Sequence, residues 1–146
     1  MRNWARTASG VFRYGRPSLP TGSTVVMRHR FDAAEALELI DRYRVTNVHL
    51  VPTQFHRLLG LDDSVRSRFD GSSLQAVWHG AAPCPPDVKR RMIEWWGDVV
   101  FEYYGSTEGS IVTTATAAEW RQRPGTLGKA TAMVEIRIVA DDGTPA

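Results

Sequence analysis

Between Ser23 and Phe101 short apolar runs alternate with segments of helical period, and this alternation restricts the possible folds more than any other feature of the chain. Ser23-Thr24-Val25-Val26-Met27 reads as a strand. Asp32, with Glu35 three residues on, opens a helix in the manner of a capping box, and Ala33, Leu37, Ile40 and Tyr43 recur at helical spacing to give it one apolar face. Val45–Val51 predicts the next strand, and Phe55, Leu58 and Leu59 mark a short helix ending at Gly60. Asp62–Ser73 is polar and is expected to be irregular. Leu74–Trp78 reads as a strand, and Pro85 and Pro86 open a helix that carries Val88, Met92 and Trp95 on one face, with Gly97 past its end. Val99-Val100-Phe101 then reads as a short buried strand. Strands and helices in this order imply parallel strands joined by right-handed crossovers, an α/β fold with helices flanking a parallel sheet. Beyond Gly109 no period is sustained until Val134-Glu135-Ile136-Arg137-Ile138-Val139, whose strict alternation predicts a half-exposed strand of another sheet, closed by a turn at Asp142-Gly143. Residues 1–21, with Gly10, Gly15, Pro17 and Pro20, are expected to be an irregular lead-in to a domain over 22–146.

Immediately after the Val99–Phe101 strand comes Glu102-Tyr103-Tyr104-Gly105-Ser106-Thr107-Glu108-Gly109. Ligands of open parallel sheets bind outside the carboxyl ends of strands, so the run is expected at a site. Its residue types suit a nucleotide and a metal. A tyrosine ring stacks on a purine, glycine admits the backbone close to a phosphate, a threonine hydroxyl donates to a phosphate oxygen, and a glutamate holds Mg²⁺ bridging such oxygens. Read from periodicity alone, Tyr103 and Tyr104 would be core residues at a strand end, and Glu108 a carboxylate satisfied by a helix N-terminus.

The run resembles the Tyr-Gly-x-Thr-Glu motif of the adenylate-forming superfamily, which includes acyl-CoA synthetases, luciferases and the adenylation domains of peptide synthetases. Val51–Leu59, His79-Gly80-Ala81-Ala82-Pro83 and Pro124-Gly125-Thr126-Leu127-Gly128-Lys129 look like further landmarks of the same large domain, in the same order. The resemblance runs from about Gly22 to the end, and the fatty-acyl or medium-chain acyl-CoA ligase branch is the closest in flavour. It implies a ligase that joins a carboxylate to ATP and then passes the acyl group from AMP to CoA, so ATP, AMP, Mg²⁺ and CoA are the expected small-molecule partners. It also implies roles. Tyr104 would stack on adenine, Thr107 would contact the α-phosphate, and Glu108 would hold Mg²⁺, these last two forming the catalytic pair. Glu102, Tyr103, Gly105 and Ser106 would shape the nucleotide wall, partly through their backbone, while Gly80, Ala81 and Ala82 would line the adenine and acyl pockets.

Three further family features have no counterpart here: a Ser/Thr/Gly-rich phosphate loop ending in Lys-Gly before Gly22, a Tyr-x-x-Gly-Asp motif before Ala146, and a small C-terminal domain with its catalytic lysine. The chain is therefore expected to be an internal segment of a ligase, inactive alone and marginally soluble, with flanking segments of the parent enzyme as missing partners. The alternative is a noncatalytic nucleotide-binding or interaction remnant of such an enzyme.

Other chemistries are weakly represented. A net charge of +2, from 18 basic and 16 acidic residues, is too small to argue a nucleic-acid partner, even with Arg2, Arg6, Arg13 and Arg16 near the start. That lead-in is Arg-rich and acid-poor like a mitochondrial transit peptide but has no amphipathic repeat. No apolar run reaches the roughly 18 residues of a membrane span, and a cytoplasmic location is expected. A lone Cys84 excludes an internal disulfide or a cysteine zinc site and reads as a packed thiol. His49, His56 and His79 lack metal-ligand spacing, though His79 stands beside the expected pocket. Gly125-x-x-Gly128-Lys129 lacks the spacing of a phosphate-binding loop and reads as a glycine turn.

Overall fold

The computed structural model describes residues 2–4, 22–106, 108 and 110–145, with backbone only for Arg2–Trp4 and Ser110. Asp32 caps the first helix, α1 (Ala33–Tyr43), by accepting the Glu35 N–H at 2.9 Å. Glu35 does not close the capping box; its carboxylate pairs with Arg28. The helix stops at Arg44, which turns left-handed with φ 50°, and the chain passes into β3 (Asn47–Leu50). Helix α2 (Pro52–Leu59) follows, its start tied by the Val51 N–H donating to Gln54 Oε1 at 2.9 Å. Strand β4 (Ala76–His79), helix α4 (Pro86–Trp96), a 3₁₀ turn (Gly97–Val99) and strand β5 (Val100–Ser106) complete the alternation.

Among the described residues one sheet takes all seven strands in the order β2-β1-β3-β4-β5-β6-β7, where β1 is Arg2–Trp4, β2 Thr24–Val26, β6 Ser110–Ala115 and β7 Lys129–Ala130. The pairings from β2 through β5 are parallel, and β6 and β7 are added antiparallel. In register, Val48, Val77 and Val100 share one face, and Leu50, His79 and Glu102 continue it one pleat further on. That face carries the core: Val48, Leu50, Val77 and Val100 are buried in one cluster with Ile40 of α1, Phe55 and Leu58 of α2, and Met92 and Ile93 of α4. On the other face Trp78 and Phe101 stack with ring centroids 4.9 Å apart, both half-buried.

The structure corrects four expectations. The segment read as an irregular lead-in contributes β1, which lies between β2 and β3; residues 5–21, with Gly10, Gly15, Pro17, Pro20 and three of the four early arginines, lie outside the described residues. The polar stretch after Gly60 contains a helical turn, α3 (Asp63–Arg66), and is held down by specific contacts. The Asp41 carboxylate accepts the backbone N–H groups of Asp70 and Gly71 at 3.1 and 2.9 Å, and Phe69 packs against Trp95 and Trp96. Beyond Gly109 the chain does not wander: β6 is followed by α5 (Ala117–Gln122), started by a full capping box in which Thr116 accepts the Glu119 N–H and Glu119 accepts the Thr116 N–H. Finally, Val134–Val139 is not a strand. Apart from a single bridge between Val139 and Pro145 it pairs with no strand among the described residues, and Ile136, Ile138 and Val139 are exposed.

Candidate functional site

The site lies where β4 and β5 end side by side, with His79 opposite Glu102 in register. The residues after β4, Gly80-Ala81-Ala82, and those closing β5, Tyr103 to Ser106, therefore come from adjacent parallel strands, the geometry in which ligands meet such sheets. A bulge between Tyr104 and Gly105 re-aims the end of β5 before the chain returns as β6.

The pleat separates the two tyrosines. Tyr103 is buried, and its hydroxyl shares a 2.9 Å hydrogen bond with His49 Nε2. Tyr104 points to the opposite side with 55% of its surface exposed, which leaves its ring free to receive a flat partner. Gly105 is half-buried, and Ser106 and Glu108 are exposed. Thr107 lies outside the described residues, as does Gly109.

Gly80 is buried against Tyr103, and a Cβ there would come within 2.7 Å of the tyrosine ring and of its carbonyl oxygen. Only glycine lets the segment after β4 and the end of β5 approach this closely. Gly80→Ala must push β5 back or break the His49–Tyr103 bond, and is expected to cost about 1–3 kcal/mol as overpacking does, read as a lowered unfolding midpoint in urea. A variant with the wild-type midpoint would show that the contact is slack. Ala81 adopts φ 67°, a left-handed conformation rare for residues with a Cβ, and it and Ala82 are exposed. Such strain clusters at ligand-binding loops.

Below the loops is a buried polar cluster that the sequence analysis did not find. Lys89, on α4, is 1% exposed and donates to Glu102 Oε2; its ammonium also lies 5.4 Å from the centroid of the Trp120 ring. Glu102 is 5% exposed, so any part it has in a nucleotide wall is through its backbone. Its Oε2 is 3.9 Å from His79 Nε2, and neither His79 nitrogen has a hydrogen-bond partner among the described residues. Burial, reinforced by the Lys89 cation and then by His49, lowers the His79 pKa to about 3. The imidazole is thus neutral at pH 7, and its contact with Glu102 is not an ion pair. Burial also lowers the Lys89 pKa, against the opposing pull of Glu102. Cys84 is partly buried, and burial, aided by Glu102, pushes its thiol up to about 12, which keeps it protonated and unreactive.

No cluster of three or more potential metal ligands occurs among the described residues. A single exposed carboxylate such as Glu108 nevertheless fits Mg²⁺, which takes one or two protein carboxylates and fills its remaining positions with substrate phosphates and water. At the glycine turn before β7, Gly128 adopts φ 84° and packs directly on the Thr114 backbone, so this is a structural turn.

Residues 16–146 match the family model described as AMP-binding enzyme. The chain belongs to that family. AMP-binding enzymes with similar sequences include a probable CoA ligase, CCL5, of Humulus lupulus, 33% identical over 132 residues that make up 89% of this chain and 24% of that protein. The medium/long-chain-fatty-acid–CoA ligase FadD8 of Mycobacterium tuberculosis is 30% identical over 131 residues, 88% of this chain and 23% of FadD8. Among solved structures, the amide bond synthetase McbA of Marinactinospora thermotolerans superimposes with a TM-score of 0.86 at 28% identity, over 99% of this chain and 30% of McbA. o-Succinylbenzoate CoA synthetase of Bacillus subtilis, in complex with its acyl-adenylate intermediate OSB-AMP, gives a TM-score of 0.78 at 25% identity, over 99% of this chain and 30% of that one. The chain spans about a quarter of the length of the curated relatives it matches. Among the described residues no helix is long and apolar enough to cross a membrane.

Proposed function

We propose that this chain is the nucleotide-facing segment, over residues 22–146, of a cytoplasmic ATP-dependent acyl-CoA ligase. The enzyme converts a fatty or medium-chain carboxylate and ATP to an acyl-adenylate and then to a CoA thioester. The observation that carries the reading is the exposed Tyr104 ring at the end of β5, beside the Gly80–Ala82 loop and four residues before an exposed glutamate. Membership of the AMP-binding enzyme family and likeness to CoA ligases support it.

In this reading Tyr104 stacks on adenine, and Gly80, Ala81 and Ala82 form the floor on which the adenine and the acyl chain lie. Tyr103, fixed by His49, sets the depth of that floor through its contact with Gly80. Gly105 and Ser106 carry the wall toward the phosphates, Thr107 donates to the α-phosphate, and Glu108 holds Mg²⁺. Held by Glu108, Mg²⁺ would supply positive charge to offset that of the phosphate oxygens. Placing such donors and charges in advance is the main catalytic contribution available to these residues.

Carboxylate-dependent ATP–pyrophosphate exchange by the full-length ligase carrying this segment tests the assignment. Glu108→Gln is expected to lower exchange by roughly 10²-fold, as loss of one preorganised electrostatic group does. Tyr104→Ala is expected mainly to raise the KM for ATP, through loss of a base–aromatic stack of about 1–3 kcal/mol. Undiminished exchange in Glu108→Gln would remove the metal role. The 146-residue chain alone is expected to show no exchange, and measurable turnover by it would refute the reading of the chain as an inactive segment.

A further inference from the structure

Lys89 stands on the apolar face of α4, one turn ahead of Met92 and Ile93, yet it carries a charge into the core to meet a glutamate of β5. A buried ion pair is poor value as a source of stability, because two well-packed apolar side chains of similar size usually serve as well or better. Its best-attested use is to fix one register against others. The position of this pair gives such a register a meaning. Glu102 lies across from His79, the last residue of β4, and two residues before Tyr104. Lys89 lies three residues into α4, the element that follows the Gly80–Ala82 loop, and its ammonium also rests on Trp120 of α5. The Glu102 carboxylate thus sits where α4, β4 and β5 meet, one pleat below the level at which the two ligand-facing segments begin.

We propose that the Lys89–Glu102 pair is a positioning device for nucleotide binding: by tying β5 to α4 beside His79, it sets the height of the Tyr104 ring over the Gly80–Ala82 loop. Lys89 touches no substrate and acts through Glu102. The inference rests on the ligase reading above and adds a determinant of ATP affinity that lies outside the binding surface.

The test is the paired substitution Lys89→Met with Glu102→Leu in the full-length ligase carrying this segment, which removes both charges together and leaves neither buried alone. Unfolding temperature is measured alongside the KM values for ATP and for the carboxylate in pyrophosphate exchange. The expected result is an unfolding temperature equal to or above that of the wild type, with the KM for ATP raised about tenfold, the size of a partly lost base–aromatic stack. The KM for the carboxylate is expected to move less than twofold. Loss of folded enzyme alone would lower kcat and leave both KM values in place, so an unmoved KM for ATP overturns the proposal whatever happens to kcat or to the unfolding temperature. A wild-type enzyme with no exchange overturns the ligase reading and this proposal with it; an active wild type with an unmoved KM for ATP in the variant overturns this proposal alone.

Discussion

Lys89→Met by itself is expected to destabilise the fold by about 3–5 kcal/mol, because it strands the Glu102 carboxylate in the core beside a neutral imidazole. Domains of this kind are stable by only about 5–15 kcal/mol in total, so the variant should unfold at a much lower urea concentration. A free-energy change below about 1 kcal/mol would mean that the carboxylate is readily rehydrated or repaired by another cation. The contrast with the paired substitution is the informative part: removing one partner is costly, whereas replacing both by apolar side chains of similar size strands no charge.

Acid is expected to unfold the chain through His79. In the folded state the imidazole has a pKa of about 3, held there by burial and then by the Lys89 cation, whereas in the unfolded chain it recovers a value near 6.5. Below pH 6.5 the unfolded state binds a proton that the folded state refuses, so stability falls as pH falls, by about 1.4 kcal/mol per pH unit. Above pH 6.5 neither state binds it, and the contribution is constant. The loss should reach roughly 2 kcal/mol by pH 5 and about twice that by pH 3.5. His79→Leu, packed against Phe55, should flatten the profile between pH 6.5 and 5, a window above the range in which Asp70, Glu119 and Asp142, with their lowered pKa values, take up protons. Parallel stability profiles for the variant and the wild type over this window would refute the account.

Much of this architecture was legible in the sequence because local chemistry and long-range packing agree there. Asp32 and Glu35 announce α1, Pro86 and Gly97 bracket α4, and the apolar faces of both helices do enter the core. β6 and α5 were missed although Ile111-Val112-Thr113-Thr114 is a β-branched run and Thr116 with Glu119 is a capping box in plain view. The masking feature was the pattern at Val134–Val139, whose alternation is genuine but says only which way the side chains of a strand would face. A strand also needs a neighbour to bond, and among the described residues this segment has only the bridge to Pro145. At the candidate site, the run from Tyr104 to Glu108 stands out in the sequence because its residue types and order are distinctive. The contact of Gly80 with Tyr103 and the inward turn of Lys89 could not, since both depend on which residues of β4, β5 and α4 come level with one another. The one trace of Lys89 was its place a turn before Met92 and Ile93.

The division of labour along β5 bears on how this segment can change over evolutionary time. Neighbouring residues serve opposite sides: Glu102 meets Lys89 on one, Tyr103 meets His49 and Gly80 on the other, and Tyr104 returns to the first beyond the core. Gain or loss of one codon between Val100 and Glu102 would exchange these assignments, driving a tyrosine toward the lysine and swinging the carboxylate to the wrong side. Gain or loss of two would keep every side chain on its proper side. Length variation in this strand should therefore occur in steps of two residues.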